Sequence, residues 1–418
     1  MERPITLGVC AMAKKACSAP MRLLLDELCA YTDEAGAREF VVVVFDERDI
    51  IDAPIESWPV VDALLAFFSA GFPLGKAIAY TQLRHPFCLN DLALQRTLLD
   101  RAAVYTRLRQ FGVPVPPHAL LDADARNDVE ETDDAITING VVLNRPFVEK
   151  PRDSEDHAVA IYWPRARGGG AAHLFRKNGA DECAAFDAEA RRSRAASGGS
   201  FLYEQWLPTS ETDVKVYAVG REHAHAELRK APACGEGRVQ REAKGGREKR
   251  AIVQLSEWEL EIARRVYDAF GQSVCGFDLL RASGGADGGG ADGVTAYVCD
   301  VNGWSHVKGA ASAEFAAKSA SLLRAYMLGA LASDYLATKV TGATCVGSTA
   351  LFAPCGADAP SDACRARDEP GRCLDGEARA GASARAPMMA AASIVGMAAA
   401  GGCAAVTPLI VDSPALSA

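Results

Sequence analysis

The sequence predicts a mixed α/β and α+β protein: an N-terminal α/β domain, then a longer region of paired strands and helices, then a low-complexity tail. Three observations carry this. Over residues 1–90, apolar β-branched runs alternate with amphipathic helical stretches, the pattern of a parallel sheet with crossover helices. From there to residue 337, strand signals come in close pairs joined by turns such as Asn139-Gly140 and Gly220-Arg221, as in antiparallel hairpins. Beyond Thr338, small residues dominate and aromatic residues become few, a composition that does not build a packed core.

A chain of 418 residues has room for two or three domains. Its 49% apolar and 24% charged content is ordinary for a globular protein, and its net charge of −9 argues against broad nucleic-acid binding. The 13 cysteines are scattered with no CxxC pair, and Cys10, Cys275 and Cys299 sit inside apolar strand-like runs. That usage fits a reducing compartment. The opening MERPITLGVC has no signal-peptide core, so the cytosol is the expected location.

In chain order, Ile5–Cys10 reads as a strand followed by a loop that holds Lys14 and Lys15. Ser18 and Pro20 open a helix over Met21–Tyr31. Phe40–Phe45 reads as a strand buried on both faces and Ala63–Ser69 as another, with a helix over Leu74–Leu83 and a strand over Pro86–Leu89. Ligands of a parallel sheet sit at the carboxyl ends of its strands, where Lys14 and Lys15 fall. Asn90–Asp91 caps one long helix expected to run to about Gln110 and to end at Gly112-Val113-Pro114. Strands are expected at Ala135–Val142, Pro146–Lys150 and Val159–Trp163, then glycines 168–170, then helix and loop over Asp181–Gly199.

Phe201–Leu207 reads as a strand, Asp213–Val219 and His223–Lys230 as a strand pair, and Val239–Arg250 as an exposed loop or short edge. Ser256–Phe270 has helical periodicity. Two strands follow, Val274–Leu280 and one beginning at Tyr297, flanking a flexible loop at Ser283–Gly293, and Glu314–Ala337 is helical. The domains expected are therefore 1–90, then 91–337 in two lobes (about 91–200 and 201–337), then a disordered tail at 338–418. Within that tail Ala386–Val411 carries no charge, but it is built largely from small residues with two prolines, so no membrane span is expected.

The chemistry concentrates in YVCDVNGWSHVK (Tyr297–Lys308) and in CGFDLL upstream. Side chains alternate across a strand, so Asp300 and Asn302 share a face, and pairing of the two strands brings Asp278 beside them. Three hard oxygen ligands with Lys308 close by suit Mg²⁺ and the phosphates it carries, although solvated acids would give the same spacing. Cations recur beside strand segments: Lys150, Arg176 with Lys177, Lys215, Arg229 with Lys230, and Lys308. Asp213 and Lys215 share one strand face, and so do His223, His225, Glu227 and Arg229; two histidines alone fall short of a metal site. Gathered in a protein of net negative charge, these cations point to a densely anionic ligand.

The segments CAMAKK, SWPVVDALLAFFSAGFPLGKAIAY, PFVEKP with EDH, LFRK, TDVKVYAVG, HAHAELRK, VCGFDLLR and YVCDVNGWS resemble the kinase domain of diphosphoinositol pentakisphosphate kinases, from about Ile5 to about Ala337. The resemblance implies an ATP-grasp fold in which two α+β lobes clamp ATP behind an N-terminal α/β domain. It also implies phosphorylation of inositol hexakisphosphate and 5-diphosphoinositol pentakisphosphate at the 1-position, giving inositol pyrophosphates. Its residue roles carry over by motif. Arg101, Lys150, His157 and Arg176 would hold the ATP phosphates. Glu204, Gln205, Trp206 and Leu207 would line the adenine, with Val214, Lys215 and Val301 nearby, and Asp213 would bind the ribose. Asp278, Asp300 and Asn302 would ligate Mg²⁺. Lys14, Lys15, Arg176, Lys177, Lys215, Arg229, Ser305, His306, Val307 and Lys308 would surround the inositol phosphates, with Lys215, Arg229 and Asp300 closest to the chemistry.

The sequence departs from the family pattern in places. Ala231-Pro232 stands where Ser-Pro is usual, Gln205 replaces a second acid, and GWSHVK replaces the common GFSFVK. None of these is a metal ligand, so activity is expected to survive with altered affinity. The Arg-His-Gly signature of the histidine-phosphatase-like domain common in the family does not occur, so the resemblance is to the kinase domain without it. A non-catalytic inositol-polyphosphate sensor or another ATP-grasp inositol phosphate kinase are the alternatives.

Overall fold

The computed structural model describes residues 3–174, 184–190, 192–209, 212–230, 250–283 and 294–341, all within the compact unit Met1–Pro354. Arg176, Lys177, most of the 239–250 segment, nearly all of the 283–293 loop and the tail beyond 341 lie outside the described residues.

The N-terminal layer contains β1 (Ile5–Ala11), α1 (Ala13–Ala16), α2 (Ala19–Ala30), β2 (Phe40–Val44), α3 (Glu47–Asp52), β3 (Ala63–Phe67), α4 (Leu74–Arg84) and β4 (Phe87–Cys88). Its sheet is parallel with order β2-β1-β3-β4. Two expectations need correcting here. The β2 run is an edge strand, with Phe40 buried but Val41 and Val44 exposed; its β-branched residues reflect fit to a pleated strand, not burial on both faces. Lys14 and Lys15 lie on the short helix α1, not in a loop.

The single long helix expected after Asp91 is two, α5 (Leu92–Thr97) and α6 (Arg101–Gln110). The Asp91 carboxylate accepts from the Leu94 amide, and Asp100 accepts from the amides of Ala102 and Ala103, so a second cap restarts the helix where apolar periodicity reads straight through.

The first lobe holds β5 (His118–Leu121), β6 (Val129–Glu131), β7 (Ala135–Ile138), β8 (Val141–Asn144), β9 (Phe147–Pro151), β10 (Val159–Tyr162), β11 (Ala171–Leu174), β12 (Ala184–Asp187) and β13 (Phe201–Gln205). Six of these form an antiparallel sheet of order β12-β11-β10-β9-β13-β5, and β6-β7-β8 form a small one beside it. The Asn139-Gly140 turn is as expected, both residues having positive φ. β12 lies where helix and loop were expected. Its alanines have little strand propensity, and pairing with β11 decides the conformation.

The second lobe is an antiparallel sheet of order β16-β15-β14-β17-β18, made of β14 (Thr212–Val219), β15 (His223–Lys230), β16 (Arg250–Ile252), β17 (Val274–Ser283) and β18 (Val294–Asn302). α7 (Glu257–Phe270) opens on a capping box between Ser256 and Glu259 and ends at Gly271 in the left-handed region; its Ile262 and Val266 pack with Leu108 of α6 and Val216 of β14. α8 (Ser312–Thr341) lies against α2, and Phe315, Leu323 and Met327 share one core with Leu24, Leu28, Tyr217, Val219 and Val274. Arg324 of α8 also forms an ion pair with Glu39. The N-terminal sheet and the second lobe thus bury a common interior. The architecture is a parallel α/β sheet followed by antiparallel sheets, as the strand pattern of the sequence implies. No helix among the described residues is long and apolar enough to cross a membrane.

Candidate active site

The acidic hairpin forms as the spacing predicts. β17 and β18 pair with Asp278 opposite Asp300 and Gly276 opposite Asn302. On the other side of β17, Lys215 of β14 lies opposite Asp278, and Asp213 lies opposite Arg229 of β15. Period-two alternation therefore puts all these side chains on one face of one sheet.

They meet there. Lys215 Nζ is 2.7 Å from Asp278 Oδ1 and donates to Asn302 Oδ1 at 3.0 Å. Arg229 Nη2 lies 2.9 Å from Asp278 Oδ2, and its Nε donates to Asp213 Oδ1 at 2.6 Å. Asn302 Nδ2 donates to Asp300 Oδ2 at 2.6 Å. Burial pulls the Arg229 guanidinium down, but the carboxylates of Asp278 and Asp213 outweigh it and raise its pKa, so the side chain stays charged although only 4% exposed. Gly276 lets this cluster close: a Cβ there would stand 2.7 Å from Ser305 Oγ and 3.2 Å from Lys215 Cε.

Among the described residues no group of three His, Cys, Asp or Glu side chains converges as a metal cluster. The oxygen set is two carboxylates and an amide, which suits a hard divalent ion that completes its shell with phosphate oxygens and water. Asp278 already bridges two cations, so such an ion would share its carboxylate with Lys215 and Arg229.

A second charged cluster lies across the lobe boundary. Lys150 Nζ of β9 is 2.6 Å from Glu204 Oε1 of β13 and donates to the Cys299 carbonyl of β18 at 3.0 Å. Burial lowers the Lys150 pKa, Glu204 and the Cys299 side chain raise it, and the net shift is upward. Tyr105 of α6 donates to the same Glu204 oxygen at 2.5 Å. Sequence reasoning missed Tyr105, which carries no local signal, and saw Glu204 only through its backbone. The signal for Glu204 was available: an acid inside the apolar strand FLYEQ, like Asp278 inside CGFDLL.

The other residues expected on the nucleotide side divide. Arg101 is buried and its guanidinium donates to the carbonyls of Pro151, Asp153, Ser154 and Asp156, so it holds the loop leading to half-buried His157. Gln205 is spent on Asn144 and Pro146, exchanging hydrogen bonds with the Asn144 backbone at 3.0 and 2.9 Å. Trp206 packs on Trp163 with ring centroids 5.8 Å apart, and Leu207 is half-buried beside it in sequence. Val214 and Val301 point into the second-lobe core and offer a ligand only their backbone. Glycines 168–170 all have positive φ, a conformation open to glycine at little cost.

Of the residues expected around the inositol phosphates, Lys14 and Lys308 are exposed, Val307 is buried, and Lys15 Nζ sits 4.7 Å above the Phe67 ring. Ser305 Oγ donates to the Gly303 carbonyl at 3.2 Å. The His306 ring packs 5.7 Å from Phe67, and its Nε2 accepts from Trp304 Nε1 at 3.2 Å. Burial first, then repulsion by Lys15 and Lys308, lowers its pKa to about 4. Folding thus favours the neutral ring, and stability present above pH 6.5 is lost as the pH falls toward 4. A melting series from pH 7 to pH 4 should show His306→Phe losing less stability than wild type; parallel curves would place the acid sensitivity elsewhere.

Residues 5–100 match the family model described as the diphosphoinositol pentakisphosphate kinase 2 N-terminal domain. The inositol hexakisphosphate and diphosphoinositol-pentakisphosphate kinase 2 of Mus musculus is 45% identical over 311 residues, 73% of this chain and 26% of that protein. The corresponding kinase of Saccharomyces cerevisiae is 41% identical over 327 residues, 72% of this chain and 27% of that one. The chain spans about a quarter of the length of these curated relatives. Among solved structures, the ATP-grasp ligase PsnB complexed with minimal precursor is similar with a TM-score of 0.46 and 13% identity, over 77% of this chain and 99% of that one. On the sequence matches, residues 5–100 are similar to the N-terminal domain of diphosphoinositol pentakisphosphate kinase 2, and about three quarters of the chain is similar to part of the inositol hexakisphosphate and diphosphoinositol-pentakisphosphate kinases.

Proposed function

We propose that this chain is an ATP- and Mg²⁺-dependent cytosolic kinase that phosphorylates inositol hexakisphosphate and 5-diphosphoinositol pentakisphosphate at the 1-position. The products would be 1-diphosphoinositol pentakisphosphate and bis-diphosphoinositol tetrakisphosphate. One observation supports it above all: Asp213, Arg229, Asp278, Lys215, Asn302 and Asp300 form a continuous chain of contacts on one sheet face.

Phosphoryl transfer needs positioning and charge neutralisation more than covalent help. Lys150 and His157, with Arg176, hold the ATP phosphates, while Arg101 acts on them by fixing the 151–156 loop. The backbone from Glu204 to Leu207 lines the adenine, and Asp213 accepts from the ribose hydroxyls. Asp278, Asp300 and Asn302 would hold Mg²⁺, which supplies charge neutralisation between phosphate oxygens. Lys215 and Arg229 stand between the acids and the acceptor and offset repulsion between two polyanions. Lys14, Lys15, Lys177, Ser305 and Lys308, with the His306-Val307 segment, surround the acceptor. Its attacking phosphate is already ionised at neutral pH, so the mechanism assigns no side chain as general base.

Incubation with ATP, Mg²⁺ and each inositol substrate in turn, followed by product separation, tests the reading. A pyrophosphorylated product is expected from at least one. A folded protein that binds the inositol phosphates yet yields no product would instead be a sensor.

A further inference from the structure

Tyr105 closes a ring of contacts that joins three parts of the fold. Its hydroxyl donates to Glu204 Oε1 at 2.5 Å and lies 3.3 Å from the Cys299 carbonyl. Lys150 Nζ approaches the same two oxygens, at 2.6 and 3.0 Å. Lys150 and Glu204 belong to the first lobe, Cys299 to the second, and Tyr105 to the connecting helix α6, whose Val104 and Leu108 pack into the second-lobe core. Cys299 immediately precedes Asp300.

We infer that Tyr105 is a positioning residue, which docks the nucleotide-phosphate lysine of the first lobe onto the second-lobe strand that carries Asp300. The inference rests on the function proposed above. Tyr105 is 1% exposed, and burial followed by the nearby Glu204 charge raises its pKa well above that of a free phenol. Its proton therefore stays in place at any working pH, and the phenol is a permanent donor. Two donors on one carboxylate oxygen divide its pull, so the Lys150 ammonium is held between a carboxylate and a carbonyl and is not captured by Glu204 alone. Without the hydroxyl, Lys150 shifts toward Glu204 and away from Cys299. The Asp300 end of the site and the phosphate lysine then lose their common anchor.

Tyr105→Phe keeps the ring and its edge-on packing against His118, whose centroid is 4.9 Å away. The variant should raise the KM for ATP on the order of tenfold, the scale of one lost hydrogen bond to a charged group. The KM for inositol hexakisphosphate should stay within about twofold of wild type, a split that general loosening of the fold would not produce. Glu204→Gln serves as the second variant. It retains an acceptor for Tyr105 but removes the charge that opposes phosphate capture, so it should shift ATP affinity without the Tyr105→Phe pattern being additive to it. A Tyr105→Phe enzyme with wild-type ATP KM, or with equal losses for both substrates, overturns the inference. A wild-type protein that neither binds ATP nor makes product overturns the proposed function instead.

Discussion

Asp300→Ala is expected to reduce turnover by on the order of a thousandfold or more while leaving the protein folded. Its carboxylate is half-buried and its contact within the cluster is with the Asn302 amide, so its removal strands no buried charge. Asp278 differs. It lies between Lys215 and Arg229, and Asp278→Ala should lose both activity and stability, since two buried cations lose their shared partner. Product assays with urea unfolding on both variants separate the two effects. An Asp300→Ala enzyme with near-normal rates would show that the metal lies elsewhere.

Arg229→Ala should produce the largest loss of stability among the site residues, about 3–5 kcal/mol, because it leaves Asp213 and Asp278 without the guanidinium that pairs both. Lys308→Ala, at an exposed position, should change stability by less than about 0.5 kcal/mol while weakening acceptor binding. Denaturant curves check the contrast. Similar midpoints for the two variants would mean that the Arg229 pairs are solvated and contribute little.

Much of this site was legible in the sequence because it lies on strands. Asp278, Asp300 and Asn302 are tied by period-two alternation and a single hairpin register, and the same rule aligns Asp213 and Lys215 with Arg229. What sequence reasoning missed depends on tertiary approach. Nothing within α6 marks Tyr105, which meets Glu204 across 99 residues of chain, and nothing within β17 says that Gly276 makes room for Ser305. Arg101 reads as a free cation until four carbonyls of the 151–156 loop close around it. The break between α5 and α6 was visible in Asp100, a good cap residue, but apolar periodicity on both sides concealed it.

The interior shared by α2, α8 and β14 bears on the order of binding. Because the N-terminal sheet and the second lobe are welded through α8, Lys14 and Lys15 keep a fixed separation from Lys215, Arg229 and Lys308. On the proposed assignment of these cations to the acceptor, its cradle is accordingly expected to be assembled before any nucleotide arrives. The first lobe meets that block through Lys150 on the Cys299 carbonyl, through Leu202 in the second-lobe core, and through the α6 side chains of Arg101 and Tyr105. Hydrogen exchange on adding ATP alone should slow in β9, β10 and β13 and leave α1, α2 and α8 unchanged; equal slowing in α2 and α8 would mean that the nucleotide acts on the shared interior as well.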